Sequence, residues 1–326
     1  MKGSIYAQPK DITDVNDCYF YHTMDIPGYG AVSGEWDLRG REGAYLGNVP
    51  LHGKRVLEIG TASGYLCFYM EQQGAEVVAY DLSEHQEWDI VPYYRGDFKK
   101  SITQRKAHLR KLNSAFWFAH SAYKSKAKVV YGTVYEVPND IGEFDICTFG
   151  SILLHLRDPF LALQRVSAQV KDTIIITDVP IKLTHEEMLF YQLYKGRLVH
   201  FLPDASTCQP EESWWRLSPE LLVEFIHILG FEHTEVSYHT QKQKDKEIEL
   251  YTVVGRRGQS GSDGAQPGED VRLMDVKKGT KDIVAFTSQK LPEEILSSIE
   301  YASIVKHLLR RGCRSLYRRL LQITSK

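Results

Sequence analysis

The stretch Val56 to Ser83, VLEIGTASGYLCFYMEQQGAEVVAYDLS, constrains the fold more than any other part of the chain. An apolar run with strand character ends in Gly60, and the small-residue loop Gly60-Thr61-Ala62-Ser63-Gly64 leads into a helical pattern. A second apolar run then ends in Asp81. A strand, loop, helix, strand unit belongs in a parallel sheet. Ligands of such sheets bind beyond the carboxyl ends of the strands, where the first loop meets a helix N-terminus. Gly60 and Gly64 let the backbone there approach a ligand closely. Asp81, about 20 residues further on, is spaced to accept hydrogen bonds from the two hydroxyls of a ribose. The unit reads as nucleoside-binding, and a tight strand-to-helix turn with no ligand is the alternative.

The rest of the chain extends this pattern. The runs RVLEI, EVVAY, KVVY, FDICTF and TIIITD are separated by longer amphipathic segments. The runs GFEHTEVSYH and EIELYTVVGRR follow, joined only by the polar stretch TQKQKDK, which is expected to be the loop of an antiparallel hairpin. The expected fold is α/β: a Rossmann-like, seven-stranded, mostly parallel sheet with an antiparallel C-terminal hairpin strand and helices on both faces. This domain is expected over residues 49–257. Residues 1–48, rich in Gly, Asp, Tyr and His and without periodicity, read as an irregular N-terminal cap or lid. Residues 258–283, beginning GQSGSDGAQPGED, read as a flexible linker, and residues 284–326 as a basic helical tail.

Composition narrows the function classes. The net formal charge of −2 provides no global basic field that would force a nucleic-acid partner. The five cysteines, Cys18, Cys67, Cys147, Cys208 and Cys313, contain no CxxC pair, which argues against a disulfide framework or a zinc site. The first residues show no apolar signal-like run, and no apolar stretch approaches the roughly 20 residues a membrane span needs. A cytoplasmic protein without a transmembrane segment is expected, with no bound metal.

The loop also separates cofactors. A dinucleotide-binding GxGxxG is absent, because the glycines of Gly60-Thr61-Ala62-Ser63-Gly64 stand four apart. The carboxylate of Glu58 under the loop suits a cationic ligand with an amino group better than a diphosphate, and S-adenosylmethionine is such a ligand. At this point the chain resembles the class I S-adenosylmethionine-dependent methyltransferases, over about residues 50–256. The resemblance implies that Glu58, Gly60 and Gly64, with the loop residues Thr61, Ala62 and Ser63 between, hold the methionine part, and that Asp81 holds the ribose. Many members carry glycine where this chain has Ala62. By the same resemblance Leu82 covers the adenine ring, Thr133 and Val134 flank it, and Gly150 and Ser151 look onto the sulfonium. The segments YFYHTMDIPGYGAVSGEWDLR, FGSILLHLRDP and SWWRLSPELLVEFIHILGF resemble a narrower branch, the wobble-uridine 5-oxyacetic acid tRNA methyltransferase-like proteins. That branch implies an N-terminal segment closing over the cofactor pocket. Ordinary methyl transfer is expected rather than use of a carboxylated cofactor.

Methyl transfer from a sulfonium needs alignment in a dry pocket and, for an oxygen or nitrogen nucleophile, removal of a proton. His22, His120 and His155 are the candidate bases, with Asp25 to orient an imidazole. Each has a structural alternative: a capped turn for His22 and Asp25, a buttress of its loop for His155. Asn113, Trp117 and His120 share a helix face that either lines a substrate pocket or packs the helix. Residues 95–128 contain ten Lys or Arg against one acid, with Tyr93, Tyr94, Phe98, Phe116 and Trp117 interleaved. That segment either binds RNA or is a solvated helix face. The tail from Lys306 carries seven basic residues and no acid. It lies on an anionic membrane, docks on a partner, or folds back on its own domain or a dimer mate. Trp214-Trp215 before Ser218-Pro219 reads as a packed helix start. The leading expectation is an O- or N-methyltransferase acting on a small-molecule or glycan acceptor. A tRNA-directed enzyme and a non-catalytic cofactor-binding scaffold are the alternatives.

Overall fold

The structure, a computed structural model, describes residues 4–184, 187–188 and 195–258. In chain order the strands are β1 (Met24–Ile26), β2 (Gly30–Val32), β3 (Trp36–Asp37), β4 (Arg55–Ile59), β5 (Glu76–Asp81), β6 (Lys128–Tyr131), β7 (Phe144–Gly150), β8 (Val170–Asp178), β9 (Val199–Phe201), β10 (Trp215–Leu217), β11 (His233–Gln243) and β12 (Lys246–Arg256). The α-helices among the described residues are α1 (Glu42–Tyr45), α2 (Tyr65–Gln72), α3 (Phe98–Tyr123), α4 (Pro159–Ser167) and α5 (Pro219–Ile228).

The main sheet has the order β3-β11-β12-β8-β7-β4-β5-β6. Strands β8, β7, β4, β5 and β6 run parallel, and β12 and β11 close the sheet antiparallel. The register sets Ile59 beside Tyr80 and Phe149, so that Gly60, Asp81 and Gly150 emerge together at one edge. Period-2 alternation divides the core. Val56, Ala79, Ile146 and Ile175 face a cluster that includes Phe68 of α2 and Phe116 and Trp117 of α3. Leu57, Val78, Cys147 and Ile174 face a cluster with Leu163 of α4 and Ile226 of α5. Helices therefore cover both faces. Proline at the first helical position suits the starts of α4 and α5. Asp158 Oδ1 accepts the Leu161 N–H at 2.9 Å and Ser218 Oγ accepts the Leu221 N–H at 3.3 Å.

Three expectations are corrected. The sheet has eight strands rather than seven, because β3 pairs with the end of β11 through Lys242 with Asp37 and Gln243 with Trp36. The polar stretch TQKQKDK is not a loop: β11 and β12 stay paired to Gln243 and Lys246, leaving Lys244 and Asp245 as the turn. Lys244 takes a φ of 52° there. Backbone pairing needs no apolar side chains, and the buried Gln241 donates its amide to the Arg41 carbonyl at 3.2 Å. The N-terminal segment is not an irregular cap without a core. It forms the β1–β2 hairpin, β3 and α1, and buries Phe20, Met24, Ile26, Leu38 and Leu46. These side chains are scattered among polar and aromatic neighbours in runs too short to establish a period, yet each enters the core cluster that includes Phe116 of α3. Residues 259–283 of the expected linker and the tail 284–326 lie outside the described residues, as does Cys313. Cys18, Cys67, Cys147 and Cys208 are free thiols. Among the described residues no helix is long and apolar enough to cross a membrane.

Candidate active site

A cavity of about 740 Å³ opens at the carboxyl edge of β4, β5, β6 and β7. Its floor is the loop after β4, where Gly60, Ala62 and Gly64 all take left-handed backbone, with φ of 78°, 52° and 89°. The glycines have different reasons for being there. A Cβ on Gly64 would sit 2.6 Å from the Phe68 ring and 2.8 Å from Phe116, so this glycine lets α2 start against α3. Gly60 lines the cavity, whereas Gly64 does not. Ala62 occupies a conformation that costs an L-residue about 1 kcal/mol. Its N–H donates to Asp81 Oδ2 at 2.8 Å, which holds the loop in place.

Asp81 ends β5 with its other oxygen accepting the Leu82 N–H at 2.7 Å. Burial raises its pKa to about 6, opposed by those two N–H donors. It is a carboxylate at neutral pH, lining the cavity with Leu82, Thr133 and Val134. Thr133 Oγ1 accepts the Tyr135 N–H at 3.1 Å and its carbonyl accepts the Tyr80 hydroxyl at 2.9 Å, so its position is fixed from two sides. At the end of β7, Gly150 and Ser151 also line the cavity. A Cβ on Gly150 would approach the Tyr45 hydroxyl to 2.9 Å, and Ser151 takes a φ of 50°. Glu58 is buried one residue below the loop, with the Thr61 hydroxyl donating to its Oε2 at 2.6 Å. Burial pushes its pKa up to about 8, and the Asp81 charge adds to the rise. Thr61 therefore supports Glu58 instead of lining the cavity. Ser63 is also turned to the protein, its Oγ accepting the Tyr21 and His22 backbone N–H groups at 3.2 and 3.3 Å.

The four candidate bases and orienters separate. His155 lines the cavity, and its Nδ1 lies 2.6 Å from the Glu212 carbonyl oxygen. A carbonyl only accepts, so Nδ1 carries the proton and Nε2 keeps the lone pair. Burial and the neighbouring Arg105 and Arg216 lower its pKa, against the Glu212 hydrogen bond, and keep the ring neutral. His22 is buried behind the loop, and burial lowers its pKa to about 4. His120 donates or accepts nothing at the cavity: its Nε2 bonds the Ala127 carbonyl at 3.1 Å. Asp25 pairs with Arg39 at 3.0 Å and faces no imidazole. Asn113 donates to the Leu82 carbonyl at 3.2 Å and Trp117 to the Tyr131 hydroxyl at 2.9 Å, so their helix face packs α3 against the sheet. Phe116 and Trp117 are fully buried and have no face to offer a base.

The outer half of the cavity is made by residues the sequence reading passed over. Tyr19 and Glu35 come from the N-terminal segment, Trp88 from the loop after β5, Arg105 and His108 from α3, and Glu212 from the approach to β10. Rings contact in series: Tyr19 with His108 at 4.6 Å, His108 with Trp88 at 6.5 Å, and Trp88 with His155 at 6.1 Å. Arg105 lies over Trp88 at 5.6 Å and pairs with Glu212. Arg105, His108, Leu109 and Leu112 stand at i, i+3, i+4 and i+7, and that spacing is the available sequence signal. Trp88 and Glu212 lie in loops with no such signal.

The family model described as a methyltransferase domain matches residues 38–217. No curated protein matches the chain. Among solved structures, the N-terminal domain of EvdMO1 with SAH bound is 18% identical, covering 67% of this chain and 80% of that one at a TM-score of 0.42. Magnesium protoporphyrin IX methyltransferase from Synechocystis PCC 6803 with bound SAH is 12% identical, covering 67% and 80% at a TM-score of 0.40. The 1,6-didemethyltoxoflavin-N1-methyltransferase of Burkholderia thailandensis is 15% identical, covering 67% and 77% at a TM-score of 0.41. With the family model spanning more than half of its length, the chain belongs to the methyltransferase-domain family.

Proposed function

We propose that the protein is an S-adenosylmethionine-dependent methyltransferase acting on a hydroxyl or amino group of a small-molecule acceptor. The observation that carries this reading is one cavity lined by the left-handed loop Gly60 and Ala62, the carboxylate of Asp81, and Gly150 and Ser151. Asp81 retains lone pairs on both oxygens after its two backbone bonds and can accept the ribose hydroxyls. The buried Glu58 is the acid suited to an ammonium group. The cofactor supplies an electrophilic methyl group on a sulfonium. The chain's own residues bind, exclude water and take the acceptor's proton. His155, with Nε2 free to accept, is the base this arrangement favours. The outer half, walled by the rings of Tyr19, Trp88 and His108, favours a small planar or cyclic acceptor. Glycan and tRNA acceptors are the competing outcomes.

Titration calorimetry with S-adenosylhomocysteine tests the cofactor. Wild type is expected to bind, and Asp81→Ala to weaken binding by about 1–3 kcal/mol, since it removes charge-assisted ribose bonds and frees the Ala62 N–H. Unchanged affinity would take Asp81 out of the site. Mass-spectrometric detection of transferred methyl groups in separate metabolite, glycan and tRNA fractions decides the acceptor class. Once an acceptor is known, His155→Ala should lower turnover by about 10²–10⁴-fold while leaving S-adenosylhomocysteine affinity within about twofold. Because burial lowers the His155 pKa below its ordinary value, wild-type turnover at saturating cofactor should fall on the acid side of neutrality. An acid limb that persists unchanged in His155→Ala would assign the base elsewhere.

A further inference from the structure

β11 forms one rim of the sheet, because β3 reaches only Lys242 and Gln243. Just before them the Arg41 guanidinium donates to the Thr240 carbonyl at 3.0 Å. Among the described residues no strand pairs with the outer edge of the remaining span, His233 to His239. Exposed edges are ordinarily blunted by lysine, proline or a bulge, because a row of unpaired N–H and C=O groups is a template for another strand. This span reads HTEVSYH, without lysine or proline, and its register with β12 is unbroken. Its one carboxylate, Glu235, is already paired with Arg256 at 3.3 Å.

Side chains continue the same surface. Tyr251 and Val253 of β12 are buried in the cluster with Ile226 of α5, but Tyr238 and Val236, opposite them on β11, are 57% and 41% exposed. Apolar surface therefore runs out from α5 to the rim of the sheet and stops uncovered. Backbone phase decides which groups point outward. The two-residue turn Lys244-Asp245 makes Gln243 and Lys246 a hydrogen-bonded pair, so odd-numbered residues of β11 bond β12, while Thr234, Val236 and Tyr238 turn their N–H and C=O groups out. The Thr240 carbonyl that Arg41 takes is in the same outward phase.

We propose that this edge pairs with the same edge of a second copy of the chain, antiparallel about a twofold axis at Val236. Val236 is the midpoint of the open span, so this register uses all of it and ends where Arg41 and β3 begin. Only outward-pointing residues then meet as hydrogen-bonded pairs: Val236 with Val236 of the other copy, and Thr234 with Tyr238 in both directions, each pair exchanging two backbone bonds. The side-chain pairs on that face are β-branched with β-branched and aromatic with β-branched. On the other face Glu235 meets Ser237 and His233 meets His239, so no two carboxylates oppose each other. An axis moved to Ser237 would set Thr234 against Thr240, whose carbonyl Arg41 already holds. Gln243, the residue of β11 that lines the cavity, lies outside the paired span.

Sedimentation equilibrium of the full chain is expected to show a reversible monomer–dimer equilibrium. Val236→Lys should weaken dimerisation at least about 10-fold, because two ammonium groups would meet at the axis. Its thermal melt at concentrations where both proteins are monomeric should match that of wild type, since Val236 is exposed in the single chain. Cross-linking reads the register. The two copies of Val236 have Cα atoms about 5.5 Å apart in a hydrogen-bonded pair, within disulfide reach, whereas the two copies of Tyr238 are about 14 Å apart. Oxidised Val236→Cys should therefore form a covalent dimer beyond any that wild type forms through its own cysteines, and Tyr238→Cys should not. A monomeric wild type would overturn the proposal, and a melting temperature lowered by Val236→Lys in that monomer would assign the edge to another segment of the same chain. A dimer that survives Val236→Lys, or one that Tyr238→Cys cross-links as readily as Val236→Cys, would put the interface elsewhere and overturn it too.

Discussion

Removal of residues 1–40 is expected to unfold the protein, not merely to open its active site. The deletion takes away Phe20, Met24, Ile26 and Leu38, which are 9%, 0%, 2% and 1% exposed. Fully burying such a side chain is worth roughly 1.5–3 kcal/mol, and a domain's net stability is only about 5–15 kcal/mol. Four such losses together are of the order of the whole. The deletion also bares the partners left behind. Phe118 loses its edge contacts with Phe20 and Tyr29, Tyr123 loses the Asp25 carbonyl that accepts its hydroxyl at 2.6 Å, and β11 loses its pairing to β3. Circular dichroism melts of the truncated chain should show no cooperative transition, or the chain should be recovered only as aggregate. A truncated chain that melts cooperatively and binds S-adenosylhomocysteine would restore the picture of a separable lid. The point substitution Met24→Ala is the milder version, with an expected cost of about 2–5 kcal/mol.

Glu58→Gln is expected to stabilise the ligand-free protein in alkali while destroying its affinity for S-adenosylhomocysteine. Burial sets the Glu58 pKa at about 8 in the folded chain against an ordinary value of 4.5. Between those values the folded state holds a proton that the unfolded state releases, so the contribution of Glu58 to stability is complete below pH 4.5 and is lost as pH rises through about 8. Glutamine fills the same space, still accepts the Thr61 hydroxyl, and never ionises. The variant should melt like wild type near pH 4 and exceed it at pH 9 by about 5 kcal/mol. Asp81 and Asp178 are also raised by burial, each to about 6, so wild-type stability has further losses in the mildly acid range. Comparing the two proteins at each pH isolates Glu58 from them. The ligand experiment runs the other way. An ammonium group favours ionised Glu58, so wild-type affinity should fall as pH drops below about 8, and Glu58→Gln should bind at least 100-fold more weakly at pH 8. A stability difference that is the same at pH 4 and pH 9 would show that Glu58 ionises normally in the folded protein.

The parallel part of the sheet was legible in the sequence because its causes are local. Runs such as Val56 to Ile59 and Val77 to Tyr80 are buried throughout, the signature of parallel strands covered on both faces, and the offset from the loop to Asp81 reflects one strand, one turn and one helix of ordinary length. The sequence by itself therefore determined the order of elements, the left-handed loop that only small residues tolerate, and the edge at which Gly60, Asp81 and Gly150 gather. It did not determine which face of α3 meets the cavity. The Asn113, Trp117 and His120 face and the Arg105 and His108 face are equally regular, and only packing decides between them: the first bonds Leu82, Tyr131 and Ala127, and the second meets Trp88 and Glu212. Nor did it reveal the eighth strand or the core contribution of the N-terminal segment. Met24 and Leu38 are isolated apolar residues whose burial comes from surfaces assembled from remote parts of the chain, and such long-range contacts leave no period behind them. The same reason hides the outer wall of the site. Tyr19, Trp88, His108 and Glu212 lie far apart along the chain, and only the tertiary structure, by packing three loops and a helix over one sheet edge, makes them neighbours.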